Sequence, residues 1–320
     1  MAKKKNRQPQ GRPPSQRGSG TGREPPLEGP ELQAEIRKYD DHVARRPRDP
    51  IGLSLRALHL GLANRWGEAL RDTDKALRFI PHGHPAELDI LALRAMVRRE
   101  MGQLEGALSD LNQLVVLKLR PAVLAARGEI YRRIGDLAAA RTDLDLSLEQ
   151  APTDPFTWIV HGRVNLIEGL PEAAIADYDE AIKIEPDETA GYHHRARARR
   201  RLDDLAGARA DWEIGLRNAR QRLARDPVNT KARTWIAWIL AEELREDLAE
   251  ALEQIEQIRA QVVDFDQRAD FLEPLGRIHY RMGHLEDALR ILEQAHDICP
   301  LDVEMQARLA EVRQAAGREG

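Results

Sequence analysis

An all-α array of about seven antiparallel helix pairs, entered and closed by single helices, is the fold the sequence predicts. Three observations carry it. From about Glu31 onward apolar residues recur at three- and four-residue spacing, and no stretch alternates with period two. Short breakers punctuate the chain at Pro81, Pro121, Pro152, Pro186, Pro227 and Pro300. An alanine recurs at Ala69, Ala107, Ala140, Ala174, Ala208, Ala251 and Ala288, with spacings of 38, 33, 34, 34, 43 and 37. Twelve residues before it stand Ala57, Ala95, Gly128, Gly162, Ala196, Ile239 and Gly276. Seven residues after it stand Ala76, Leu114, Ser147, Ala181, Gly215, Ile258 and Ala295. Eighteen of these 21 positions are Gly, Ala or Ser. Those types fill roughly a fifth of the chain, so the period is a structural repeat.

The elements follow in order. Residues 1–30 hold six prolines, five glycines and almost no large apolar side chain. Such a segment cannot offset its ordering entropy, so a disordered basic tail is expected. Seven cations (Lys3, Lys4, Lys5, Arg7, Arg12, Arg17, Arg23) against Glu24 and Glu28 give it +5. With −4 on the whole chain of 320 residues, the rest carries −9. An entry helix is expected at 31–50. The array then spans 51–300, in repeats at about 51–84, 89–121, 122–154, 156–187, 190–227, 232–264 and 269–300. The fifth repeat is followed by about nine extra residues, so its second helix should run on from Gly207 towards Arg225. The sixth departs most, with Ile239 and Ile258 at small sites. Residues 301–320 read as a polar-faced closing helix, which an array needs for solubility.

Within a repeat, small residues let two helices approach closely. Larger ones, Tyr131, Leu144, Trp158, Tyr178, Trp212 and Leu292, fill the gaps between them. Gly102, Gly135, Gly169 and Gly283 suit a helix end that needs positive φ. Pro81, Pro152, Pro186 and Pro300 close the second helix. At Trp158, Gly162, Gly169, Ala174, Tyr178, Ala181 and Pro186 the chain resembles the tetratricopeptide repeat family. The segments Leu124–Pro152 and Leu272–Pro300 match nearly as well. The resemblance covers about Ile51 to Pro300 and implies a right-handed α-solenoid.

The repeats also compare with one another. Arg56, Arg94, Arg127, His161 and Arg195 each precede the first small site. Sixteen residues later come Asp72, Asp110, Asp143, Asp177 and Asp211. The last two repeats lack both members, with Trp238 and Gln254, then Leu275 and Ile291. Joint presence and joint absence predict a salt bridge between the two helices of a repeat.

Composition and motifs narrow the function. Aromatics are 4 %, thin for a sandwich or barrel core. No run of about 18 apolar residues would span a membrane, and Met1 to Gln10 show no secretory signal. The lone cysteine, Cys299, excludes a disulfide framework and a cysteine-based metal site, and it is expected to be a packed thiol in a cytoplasmic protein. No phosphate-binding glycine loop and no His-Glu-x-x-His helix occurs. Gly18–Gly20 lacks the strand–turn–helix context of a nucleophile elbow. His82 and His84, His193 and His194, and His279 and His284 have no converging third partner. They read as surface or turn histidines, so no metal, cofactor or catalytic residue is expected.

The resemblance implies that the first helix of each repeat lines a concave groove. Its ligand-facing stripe carries Arg99, Arg132, Arg133, Arg163, Arg197, Arg200, Arg201, Arg277 and Arg281, interleaved with Leu58, Met96, Leu166, Ile167 and Leu240. Arginine suits bidentate carboxylate or phosphate contacts. Two other sources of these cations stay open. Helix ends favour them, and arginine outnumbers lysine 41 to 8 throughout. Where chaperone-binding members place a lysine stand Ser54, Ala92, Ala125, Ile159 and His193, which argues against a chaperone-tail adaptor. The expected function is a non-enzymatic scaffold binding a protein or peptide partner, possibly acidic, in that groove. The alternative is a nucleic-acid-associated protein using the tail and the groove arginines on phosphates.

Overall fold

A computed structural model describes residues 29–118 and 120–317. The expected disordered tail lies outside these, except that its last two residues, Gly29 and Pro30, already begin a helix. Sixteen α-helices and no strand occur among the described residues. Helix α1 (Gly29–Arg45) leads into seven antiparallel pairs: α2 (Pro50–Leu62) with α3 (Trp66–Phe79), α4 (Ala86–Glu100) with α5 (Leu104–Leu117), α6 (Pro121–Ile134) with α7 (Leu137–Gln150), α8 (Pro155–Ile167) with α9 (Pro171–Ile184), α10 (Thr189–Arg201) with α11 (Leu205–Arg225), α12 (Thr230–Trp238) with α13 (Leu248–Gln261), and α14 (Ala269–Arg281) with α15 (Leu285–Ile298). Helix α16 (Val303–Ala315) closes the array. None of these helices is long and apolar enough to cross a membrane.

Local chemistry sets the boundaries. The carboxylates of Asp49, Asp136, Asp154, Asp204 and Asp302 accept backbone N–H groups at the starts of α2, α7, α8, α11 and α16. These bonds satisfy donors that the first helical turn leaves unpaired. Prolines begin α2, α6, α8 and α9, where a missing N–H costs nothing. The turn inside each pair needs one residue with positive φ. Gly102, Gly135, Gly169 and Gly283 supply it in four repeats, while Asn64 and Asp203 take the same place in the first and fifth.

The small sites meet the large fillers directly. A Cβ at Gly162 would come within 2.6 Å of the fully buried Tyr178 ring, and one at Gly276 within 2.7 Å of Leu292. The expected ion pair forms in all five repeats that carry it. Arg56 Nε reaches Asp72 at 2.6 Å, and the corresponding distances are 3.0 Å for Arg94–Asp110, 2.7 Å for Arg127–Asp143 and 2.9 Å for Arg195–Asp211. His161 Nδ1 stands 2.8 Å from Asp177. A further donor of each cation reaches back across the repeat boundary. It meets Asp40, Asp74, Asn112, Asp145 or Asp179. One side chain per repeat therefore ties its own second helix to the preceding helix.

The sixth repeat departs in its backbone. After α12 the chain widens into a π-helical segment, Ile239–Leu244, and both Arg245 and Asp247 have positive φ. The bulky Ile239 and Ile258 at the small sites are both fully buried there.

The array also closes on itself. Asn64 donates to Thr230 Oγ1 at 3.1 Å, and Arg133 donates to Asp302 at 2.7 Å, 169 residues away. Cys299 is buried against Gly102, whose φ is +73°. A Cβ at Gly102 would meet the Cys299 sulfur at 2.1 Å and the Ile298 carbonyl at 3.1 Å. Gly102→Ala therefore combines a strained φ with a clash across the seam. It should destabilise the protein by about 1–3 kcal/mol in urea denaturation. Gly169→Ala, which has a similar φ but nothing within 4 Å, should cost less.

Candidate functional site

The nine arginines of the expected stripe all line one or the other of two cavities, and closure brings acids against most of them. Arg132 Nε and Nη2 donate to Glu129 at 2.8 and 3.0 Å, and its Nη1 lies 3.5 Å from Glu304 on α16. Arg133 donates to Asp302, to the Arg99 carbonyl at 3.3 Å and to the Cys299 sulfur at 3.4 Å. Arg163 reaches Glu304 at 2.9 Å and Glu129 at 3.3 Å. Arg277 and Arg281 both clamp Glu242 of the π segment at 2.8 Å, and Arg277 also takes Glu311 of α16 at 2.6 Å. Arg99 turns to its neighbour Glu100, and Arg200 holds Glu243 at 2.7 Å. Among the described residues Arg197 has only Glu243, at 3.9 Å, and Arg201 has no acidic partner. The stripe thus has most of its members engaged by acids of this chain, six of them by α16 or the π segment. Arg132 and Arg277 are buried.

Two cavities lie inside the closed array. One, of about 700 Å³, is lined in part by Trp66, Arg99, Arg132, Arg133, Trp235, Arg268 and Asp302. The other, of about 600 Å³, holds eight arginines: Arg163, Arg197, Arg200, Arg201, Arg245, Arg277, Arg281 and Arg308. Only four carboxylates face them there, those of Glu242, Glu243, Glu304 and Glu311. Leu166 and Ile167, two of the expected apolar members, line the same cavity. Arg201 and Arg245 sit exposed at its mouth.

Burial and charge act together on these groups. Burial would raise the Glu129 and Glu304 carboxyls, but the surrounding guanidiniums overcome it and hold both well below the usual range. Glu243 goes the other way, since burial raises its carboxyl despite Arg200 and Arg197. Arg308 on α16 is paired with Glu273, yet burial and repulsion from Arg197 and Arg163 bring its guanidinium down to about 9. His193 and His194, expected at the surface, are buried on α10 with exposures of 2 % and 8 %. Helix packing against Trp235 and Tyr178 encloses them. Burial and the nearby arginines keep both rings neutral. Among the described residues no group of three or more His, Cys, Asp or Glu is placed to hold a metal.

Sequence reasoning missed Arg245, Arg308 and all the acids that meet the stripe. The signal available for Arg245 was the irregular sixth repeat itself. For the acids it was the run Asp302, Glu304 and Glu311 at the end of the array.

Residues 157–188 match the family model described as tetratricopeptide repeat. Human mitochondrial import receptor subunit TOM70 is 20 % identical over 256 residues, 68 % of this chain and 41 % of that protein. Human tetratricopeptide repeat protein 13 is 27 % identical over 116 residues, 36 % of this chain and 14 % of that protein. The chain spans less than half the length of these relatives. In the solved APC/C hetero-tetramer Cut9–Hcn1, one chain superposes with a TM-score of 0.56 at 17 % identity, covering 89 % of this chain and 54 % of that one. The human IFIT1 dimer with PPP-AAAA gives 0.52 at 14 % identity, covering 84 % and 69 %. At such identities the likeness concerns the fold.

Proposed function

We propose that this chain, a solenoid of tetratricopeptide-type repeats, is a non-enzymatic protein-interaction scaffold that receives an acidic peptide segment at the arginine-lined mouth of its concave side. One observation carries the reading: eight guanidiniums face four carboxylates around the 600 Å³ cavity. Among the described residues Arg201 and Arg245 at its mouth have no acidic partner, and Arg197 has none within hydrogen-bond reach. Ile167 and Leu166 add apolar contact area beside them. In such a site arginines steer an acidic segment and fix its register, while apolar contacts slow its release. Neutral arrays of this kind present fold without pathway, so the site argues for the ligand's charge and not for the process it serves. Cytoplasmic residence goes with this reading, from the single buried thiol.

The test is fluorescence anisotropy with an eight-residue glutamate peptide and its glutamine counterpart. The wild-type chain should bind the glutamate peptide, and Arg201→Gln/Arg245→Gln should weaken it at least tenfold, about 1.4 kcal/mol. Equal affinity of both proteins for both peptides would refute the site. No observation among the described residues favours a nucleic acid over a peptide here.

A further inference from the structure

The structure assigns the 600 Å³ cavity a selectivity for phosphate groups over carboxylates, so that the docked segment is recognised through a phosphorylated side chain. This rests on the docking site proposed above and names the chemistry it selects.

The chain's own carboxylates show what a carboxylate does with its arginines. In Asp72 and Asp143 one guanidinium lies edge-on, its Nε and Nη2 each on a different oxygen, and Asp110 and Asp211 take a second guanidinium as well, from Arg98 and Arg199 at 2.9 Å. That planar, bidentate pairing uses up the acceptor pair facing the arginine. At the mouth of the cavity Arg201 and Arg245 have no such carboxylate among the described residues. Arg197 and Arg201 stand four residues apart on α10, on one helix face, with Arg200 beside them. Like charges at that spacing cost stability, and among the described residues only Glu243 reaches them, at 2.7 Å from Arg200 and 3.9 Å from Arg197. Arg245 approaches from another element, immediately after the π segment. Its φ of +56° is a left-handed conformation that a non-glycine residue adopts at a cost. π-Helical insertions recur at functional sites, where they re-aim side chains.

Guanidiniums from two elements can share a carboxylate too, as Arg132 and Arg163 share Glu129, so the choice between the two acceptors rests on charge and on the number of oxygens. A phosphate monoester offers three terminal oxygens in three directions and a charge of about −1.5 to −2 at neutral pH. A carboxylate offers two coplanar oxygens and one charge. Glu129 and Glu273 reach Arg163 and Arg308 from outside the lining, which leaves the excess of positive charge at Arg197, Arg201 and Arg245, and that excess favours the group with more charge per volume. The other charged groups facing the site agree with this. Glu243 engages Arg200 at 2.7 Å and lies 3.9 Å from Arg197, and burial raises its carboxyl. Burial first, then Arg197 and Arg163, lower the Arg308 guanidinium even though Glu273 pairs with it.

The experiment is isothermal titration of the full chain with three peptides of one sequence, carrying two adjacent phosphoserines, two glutamates or two serines. Inorganic pyrophosphate is a fourth probe. The phosphoserine peptide should bind at least tenfold tighter than the glutamate peptide. Its affinity should fall as the pH drops through about 6, where the phosphate loses its second charge. Arg197→Gln/Arg245→Gln should remove the preference while circular dichroism stays unchanged. Competition by pyrophosphate supports the phosphate chemistry. Pyrophosphate binding without either charged peptide supports it too, but overturns docking of a peptide segment. Equal affinity for the phosphoserine and glutamate peptides overturns the phosphate selectivity and leaves the acidic docking site standing. If neither charged peptide nor pyrophosphate binds, both readings fail.

Discussion

Arg132→Met should destabilise the protein by about 3–5 kcal/mol, the cost of removing one partner from a buried ion pair. Arg132 is 1 % exposed and stands between Glu129 on its own helix and Glu304 on α16. Burial alone would lower the guanidinium's pKa, yet these carboxylates raise it well above its ordinary value. Without Arg132, both acids remain enclosed and share only Arg163. Urea denaturation should show the loss as a lower midpoint at unchanged slope. Arg132→Met/Glu129→Met should recover part of it, because the pair leaves together. A loss under about 1 kcal/mol for the single variant would mean that the pair is not buried in solution.

Acid should weaken the fold below pH 6.5, earlier than carboxylate titration would. His193 and His194 are buried neutral, with pKa values held well below the ordinary 6.5 by burial first, then by Arg197 and Arg163 for His193 and by His193, Arg163 and Arg197 for His194. The unfolded chain takes up protons near pH 6.5 that the folded chain refuses. Stability is therefore full above that pH and falls below it, by up to about 1.4 kcal/mol per pH unit for each ring. His161 has the opposite sign. Burial lowers its pKa, but Asp177 and Asp145 more than reverse this, so its contribution is present below pH 6.5 and fades as the pH rises through its folded value. One ring against two leaves a net loss in acid. Below about pH 4.5 the depressed carboxyls of Glu129, Glu242 and Glu304 add to the loss as they protonate. Urea midpoints between pH 7.5 and 5 check this. His193→Asn/His194→Phe should flatten the slope, and an unchanged slope in that variant would contradict the assignment.

The solenoid was legible because its determinants are local and repeated. Gly162 opposite Tyr178 and Gly276 opposite Leu292 are sequence neighbours within one repeat, and each is sampled several times along the chain. The Arg–Asp pairs were readable for the same reason. Closure was not legible, since Arg133–Asp302 and Arg163–Glu304 span 169 and 141 residues and occur once. No period encodes such contacts. The arginine stripe was therefore placed on the concave side without its internal acids. The buried histidines were missed because spacing says nothing of enclosure by Trp235, which belongs to the next repeat. Arg245 was missed because the π segment shifts the register that a regular sixth repeat would have kept.

The candidate site depends on closure, because α16 brings Arg308, Glu304 and Glu311 to the cavity and the seam holds α16 in place. A double-mutant cycle on Arg133→Gln and Asp302→Asn tests this most directly, and asparagine retains the acceptor that caps α16. Residues that touch show interaction energies of about 0.5–3 kcal/mol, and distant ones add within a few tenths. The closed array predicts a coupling above about 1 kcal/mol between these two positions. Strict additivity would mean that the array is open in solution and that the arginine-lined cavity does not form.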